Sequence, residues 1–460
     1  MPNSRMTVVD ASYHLESQIG PHLDWPMFWA FDSGGHDAPT PSEITDHVVG
    51  RAHVLSSLRR TPRHVAGGVD YPHWVVDGTP LEDHIEHHHG EGRSGMSWTE
   101  FLDALGGLTA TGLPRHRAWR LHVFHAVRDV PSAQGPSTVV VLNTSHALMA
   151  GPALPPVSAA LFGADDTPLD LPGVGPAARR WSAAGRAAAG VLGIPAALLR
   201  WWSHLGSAPH DDPESPPARA LSRFNLDPAA GGRSRAIRIL TLPLSGLRPP
   251  PGTTVTTAVL TAISEAMRRY LVEFDGSCPS DPTAVVTVAL HDLPEEVGVN
   301  RLGPAWVMLS PNVEDLDERA RMIQAELAAG RRDVNSPGYA AKMQTTNLMP
   351  AVLYSAAAAG VLDRSVSLYN SGHALGHTVL TSIDCRGSER ARLCGRELAL
   401  FGMTPPLPRD IGLVHGVVGT ARGLTLTVHS TPEAVADPDR YLEFLRESID
   451  LMGAGSGVRT

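Results

Sequence analysis

The 460-residue sequence has only three cysteines, Cys278, Cys385 and Cys394, and none forms a CxxC pair. So few thiols argue against a disulfide scaffold and a structural zinc site, and they fit a reducing compartment such as the cytoplasm. Charge of one sign is also lacking. With 38 Lys+Arg against 47 Asp+Glu the formal net charge is −9, so nothing draws the whole molecule to nucleic acid. No apolar run reaches the roughly 18–20 residues a bilayer span requires. The two richest stretches, 187–199 and 348–362, are shorter and each contains a proline, Pro195 and Pro350. The opening MPNSRMTVVDASYHLES has no apolar segment of signal-peptide type. A GxSxG elbow, a P-loop and a GxGxxG fingerprint are absent too, which removes the commonest hydrolase and nucleotide-binding signatures. The expectation is a soluble or peripherally membrane-associated chain.

Apolar residues make up 42% and charged residues 18%, the balance of a globular protein. A single core rarely grows past about 250–300 residues, so two domains are expected. Residues 1–162 form the first, with Ser137–Thr144 (STVVVLNT) as a buried strand, 117–127 as a strand before it, and a helix over 99–108 spaced by Phe101, Leu102, Leu105 and Leu108. Residues 163–235 connect the domains through Pro/Asp-rich breaks and an apolar helix over 178–205 that carries Trp181, Trp201 and Trp202 among arginines. Residues 236–460 form the second. Strands are expected over 236–244, 284–290, 378–383, 416–420 and 424–429, and helices over 255–272, 315–331 and 437–452. Interleaved strands and helices imply α/β layers.

The sharpest local feature leaves the strand at Thr144 and reads Ser145-His146-Ala147-Leu148-Met149-Ala150-Gly151. A histidine at the end of a buried strand, followed by a glycine five residues later, can face a cleft while the strand fixes its backbone. Its pKa near neutrality suits general-base work. The bland reading is a strand-end histidine satisfied by nearby carbonyls, and 22 histidines give that reading weight.

This segment resembles the HHxxxDG motif of the acyl-CoA-dependent acyltransferases. That superfamily includes the wax ester synthases/diacylglycerol acyltransferases and the condensation domains of peptide synthetases. His146 and Gly151 match, while Ser145 and Ala150 replace the first histidine and the aspartate. Further segments are similar to the wax ester synthase branch: Asp10, Leu15 and Glu16 in VVDASYHLES, Trp119 and Leu121 in RAWRLHVF, Asn300, Arg301 and Gly303, and the closing strand and helix. Thr256 and Thr257 stand where that branch has Asn-Asp, and SIDCRG (382–387) is a poor match to its Ser-Asn-x-Pro-Gly-Pro stretch.

The resemblance implies two chloramphenicol-acetyltransferase-like α/β domains with a cleft or tunnel between them. It implies O-acyl transfer from acyl-CoA to a lipid hydroxyl, diacylglycerol or a fatty alcohol, with His146 as the catalytic base. Acyl-CoA is a co-substrate, and no cofactor or metal is expected. Ser145, Ala150 and Gly151 would support the motif loop, and Thr256, Thr257, Asn300 and Arg301 are candidate cleft-lining residues. The altered motif leaves a second reading open: a catalytically silent relative that binds lipid, acyl-CoA or a partner protein. The Arg/Trp-rich stretch 178–205 suits either a packed crossover helix or a membrane interface.

Weaker signals remain. His84, Glu86 and His88 would share one face of a strand, as an exposed polar edge or an adventitious metal trap. Gly372-His373-Ala374-Leu375-Gly376-His377 echoes the central motif, and His373, His377 and His291 are further cleft candidates. Cys278, beside Pro279, has no visible base and is not expected to act as a nucleophile.

Overall fold

The computed structural model describes residues 4–20, 22–90, 95–164, 168–169, 171–179, 181–205, 216–230, 234–290, 293 and 297–455. Among these, two six-stranded sheets organise the chain. The first runs in the order Arg392–Leu393, Arg396–Met403, Trp25–Asp32, Ser137–Thr144, Trp119–Val127 and Ile85–His88. Its pairs are antiparallel except the last, where Ile85–His88 lies parallel to Trp119–Val127.

Period-2 alternation explains why this sheet is covered on both faces. Along Trp25–Asp32, the side chains of Trp25, Met27, Trp29 and Phe31 enter one core while Phe28 and Ala30 enter another. Ser137–Thr144 divides in the same way, with Val140 and Leu142 on one side and Val139 and Val141 on the other. Every residue of that strand is buried, as its β-branched run predicts. The helix Trp98–Thr111 closes the second face. Ser97 and Glu100 form a reciprocal capping box at its start, and Phe101, Leu102 and Leu105 point into the core.

The second sheet runs in the order Leu302–Met308, Thr283–Ala289, Thr378–Asp384, Leu413–Gly419, Gly423–Ser430 and Ala236–Pro243. Thr378–Asp384 is parallel to both neighbours and the other pairs are antiparallel. The helices Val255–Asp275, Leu316–Val334 and Pro438–Gly455 cover it, and Asp315 caps the second of them as its position before the apolar repeat requires.

Two features depart from the sequence reading. The segment 236–460 does not keep to its own sheet, because Glu397–Met403 pairs with Met27–Asp32 in the first sheet. In return, Ile237 and Ile239 pack into the core beneath Trp98–Thr111. The boundary at 235 therefore separates the chain but not the two halves of the fold. The second departure is the helix Ala351–Asn370, none of whose residues is buried. The helix Ala183–Leu205 likewise buries no side chain: Leu192 is 81% and Trp202 73% exposed. No helix among the described residues is long and apolar enough to cross a membrane.

Candidate active site

His146 sits in the turn that follows Thr144. The strand fixes the start of that turn through antiparallel partners on both sides, Trp25 and Trp119. Ser145 N–H donates to Ala118 O, and Leu148 N–H and Met149 N–H return to Ser145 O. The Ser145 hydroxyl accepts from Ala147 N–H at 3.3 Å, so it stabilises the turn. Ala150 is buried and extended, at the threshold of the short Gly151–Ala153 turn. At Gly151 a Cβ would come within 3.1 Å of Ile383 Cδ1, a side chain of the second sheet, so a larger residue there would press on the other half of the fold.

The His146 ring packs against two aromatic rings. It stacks on Tyr13 at 4.4 Å between centroids and 12° between planes, and on Trp25 at 5.7 Å and 29°. Tyr13 comes from the helix Val8–Ile19, Trp25 opens the central strand, and the third neighbour, Asn300, comes from the loop before Leu302–Met308. His146 therefore lies where the two halves of the chain meet, and its exposure is intermediate.

Asn300 fixes the protonation pattern of the ring. Its Nδ2 donates to Asp10 Oδ1 at 2.8 Å and to the His146 carbonyl at 2.8 Å. Both partners are acceptors only, so the amide cannot be turned round, and Oδ1 must face His146 Nδ1, 2.7 Å away. An amide oxygen accepts, so Nδ1 carries the proton and Nε2 keeps its lone pair. Burial pushes the imidazole down to about 4, opposed by the bond to Asn300, and the ring is neutral at neutral pH.

Behind Asn300 stands Asp10, buried on the helix Val8–Ile19. Its carboxylate accepts four hydrogen bonds, from Thr7 Oγ1, Val299 N–H, Asn300 N–H and Asn300 Nδ2. Burial raises its pKa to about 6 despite those donors. The loop can approach so closely only because residue 298 is glycine. Its φ is +113°, and a Cβ there would lie 2.2 Å from Asp10 Oδ2.

The remaining sequence candidates are placed as follows. Arg301 donates to Leu293 O and braces its own loop. Thr257 is buried at the start of Val255–Asp275, where its N–H bonds the capping Thr254 and its hydroxyl bonds Gln324. Neither Thr256 nor Thr257 contacts His146 among the described residues. Glu16 accepts from Tyr354 OH at 3.4 Å. His373 is exposed beside Ser371, and His377 is buried with both ring nitrogens bonded to backbone. His291 lies outside the described residues. Burial pushes the Cys278 thiol up to about 11, against nucleophilic use. His84 belongs to a short turn, where it stacks on Trp119 and pairs with Asp77 at 3.3 Å, away from Glu86 and His88. A surface opening lined by Leu242, Leu400, Phe401 and Leu424 among others, residues of both sheets, does not include His146.

Sequence reasoning singled out His146 by its place after a buried strand and Asn300 and Asp10 only through resemblance, and it missed Tyr13 and Trp25. One local signal was available: Thr7 and Asp10 have the N-cap/N3 spacing of a helix start, and Asp10 and Tyr13 then share a helix face.

Comparison with known proteins bears on the fold. No family model matches the chain. Probable or putative diacylglycerol O-acyltransferases of Mycobacterium tuberculosis and Mycobacterium bovis are 26% identical over 232 residues, half of this chain. The match spans 47% of the length of those curated relatives. Among solved structures, the wax ester synthase/diacylglycerol acyltransferase of Marinobacter aquaeolei superposes with a TM-score of 0.65 at 16% identity, covering 99% of this chain and 100% of that one. A trichothecene 15-O-acetyltransferase of Fusarium sporotrichioides gives 0.57 at 10% identity, with 97% and 94% covered. The first condensation domain of the CDA synthetase gives 0.51 at 13%, with 98% and 96% covered. The fold is the one these solved structures share, and that structural likeness extends over almost the whole chain.

Proposed function

We propose that this protein is an acyl-CoA-dependent O-acyltransferase that moves a long-chain acyl group to a lipid hydroxyl, diacylglycerol or a fatty alcohol, in neutral lipid synthesis. The observation that carries the reading is the His146 ring, stacked on Tyr13 and Trp25 and locked by Asn300 with Nε2 unprotonated. In this reading Nε2 takes the proton of the acceptor hydroxyl as its oxygen attacks the thioester carbonyl carbon. The tetrahedral intermediate collapses, the C–S bond breaks, and the imidazolium returns the proton to the CoA thiolate. No acyl-enzyme is needed, because both substrates would meet at His146 from opposite ends of a passage between the two halves. General-base help of this kind is worth about 10²–10⁴-fold.

The exposed helix Ala183–Leu205 supports a peripheral membrane role on the cytoplasmic face or on lipid inclusions. Arg186 and Arg200 lie within it near its two ends while Leu192, Leu199 and Trp202 are exposed, which suits an interfacial helix and a water-insoluble acceptor. Replacing Trp201 and Trp202 by Ser should weaken liposome binding; a wild-type protein that ignores liposomes contradicts this role.

A second reading, a silent relative that binds lipid or acyl-CoA, is favoured by Ser145 and Ala150 in the motif. The deciding experiment incubates purified protein with long-chain acyl-CoA and a panel of hydroxyl acceptors, following free CoA and ester. His146-dependent release of CoA with ester formation supports the transferase. Acyl-CoA binding without turnover, unchanged in His146→Ala, supports the silent relative.

A further inference from the structure

A second cluster of chemistry-bearing side chains lies on the edge of the first sheet, apart from the His146 turn. The parallel register sets Glu86 opposite His122, and His88 follows two residues later on the same face of its strand. His88 Nε2 lies 3.0 Å from His122 Nδ1, Glu86 Oε1 3.9 Å from His88 Nε2, and Glu86 Oε2 3.7 Å from His122 Nδ1. The three ligand atoms fall within 4.8 Å of one another, and this is a metal-compatible grouping of His, Cys, Asp and Glu among the described residues.

We infer that Glu86, His88 and His122 form a binding site for a divalent transition-metal ion of the zinc type. A tetrahedral ion with ligand bonds of about 2.0–2.1 Å separates its ligands by about 3.4 Å. The imidazoles stand 3.0 Å apart, and 3.9 and 3.7 Å from Glu86 Oε1 and Oε2 respectively, so small side-chain rotations bring one carboxylate oxygen and both ring nitrogens to that spacing. Two imidazoles and one carboxylate are a ligand set that zinc takes with a water in the remaining position. Glu86, 46% exposed in its side chain, leaves room for that water.

The surroundings hold the ligands in place. His88 stacks on Phe124 at 4.5 Å and on His122 at 5.2 Å, and His122 is 5% exposed in its side chain. Arg120 Nη1 donates to Glu86 Oε2 at 2.9 Å, the outer hydrogen bond that orients a ligating carboxylate. The ion would clip a four-residue edge strand to its neighbour, so its expected role is structural. A second histidine pair, His87 Nδ1 and His125 Nε2 at 2.9 Å with His89 stacked on His125, provides an internal control because no carboxylate joins it in a metal-compatible group among the described residues.

The test uses untagged, chelator-treated full-length protein titrated with Zn²⁺ against a chromophoric competitor, and with Co²⁺ for its visible spectrum. The expected result is one tight equivalent, tetrahedral Co²⁺ bands and a metal-dependent rise in Tm. His88→Ala and Glu86→Gln should each weaken binding by about 100-fold or more, beyond the loss of an outer hydrogen bond. His122→Ala should do the same, and because His122 is buried the two exposed-side variants carry the test if it misfolds. His125→Ala and the exposed-site His204→Ala should bind as wild type does. Binding that survives His88→Ala and Glu86→Gln, binding that follows His125 instead, or no stoichiometric binding at all would overturn the site.

Discussion

The tripeptide His-Ala-Leu occurs in two places that this fold treats in opposite ways. At 146–148 it follows a buried central strand, and the histidine is stacked on two aromatic rings with Nδ1 bonded and Nε2 without a hydrogen bond among the described residues. At 373–375 it opens a two-residue strand paired with 219–220, and His373 is exposed beside Ser371. Four residues on, His377 is as deeply buried as any core residue, yet both its nitrogens are used. Nδ1 accepts from Thr283 N–H at 3.0 Å and Nε2–H donates to Ala220 O at 2.9 Å. His377 is a clip with no lone pair to spare, and His146 is a ring with its position fixed and a lone pair left over. What separates a base from a structural histidine here is the partner supplied by distant chain, Asn300 at 154 residues' separation, and not the local sequence.

The sharpest way to break that contrast is His146→Ala. It should lower CoA release by about 10²-fold or more, as removal of a general base does, whereas His373→Ala should leave turnover unchanged. Equal losses in the two variants would place the chemistry elsewhere.

Asn300→Ala comes next. Without the amide oxygen the ring can protonate at either nitrogen, and turnover should fall by about 10-fold or more. The loss should appear in kcat and in the pH profile, and Asn300→Gln should restore less than the wild-type value because the longer amide cannot reach both Asp10 and His146. A change confined to KM would argue that Asn300 merely shapes the binding surface.

The pH profile itself sharpens the account. The imidazole is neutral above about 4, so the base alone would sustain activity well into acid. Asp10, raised to about 6, protonates first as pH falls. A protonated carboxyl can no longer accept all four of its hydrogen bonds, and Asn300 loses its anchor. The acidic limb of kcat should therefore lie near pH 6, with activity falling below it, and Asp10→Asn should abolish that limb or displace it. A limb near pH 4 in wild type would disconnect Asp10 from the ring.

The smallest effect on turnover is expected at His377. His377→Ala orphans Thr283 N–H and Ala220 O, which should lower stability on the order of 2–4 kcal/mol, read by denaturant titration. Turnover per folded molecule should stay as in wild type.

Much of the scaffold was legible in the sequence. Ser137–Thr144 announces itself by its β-branched run, Val255–Asp275 and Leu316–Val334 by helical spacing and capping residues, and His146 by its place after a buried strand. The exchanged strand Arg396–Met403 was not. Its sequence RELALFGM has no β-branched residue, and what makes it a strand is the open edge of Trp25–Asp32 more than 360 residues earlier. The site was legible by half for a similar reason. A lone histidine carries no mark of its tautomer, and Asp10 and Asn300, 290 residues apart, meet only once both sheets are built. The edge-strand cluster repeats the lesson, since His84 looked like its third member until the parallel register brought in His122.

The central claim is that His146 carries its proton on Nδ1 and presents a bare Nε2. The direct measurement is ¹⁵N–¹H correlation of the imidazole nitrogens in protein labelled at histidine, with the His146 signals assigned by their absence in His146→Gln. The account predicts at neutral pH a protonated Nδ1 and an unprotonated Nε2, and exchange between the two tautomers in Asn300→Ala. A His146 protonated on Nε2 in the wild-type protein would contradict it.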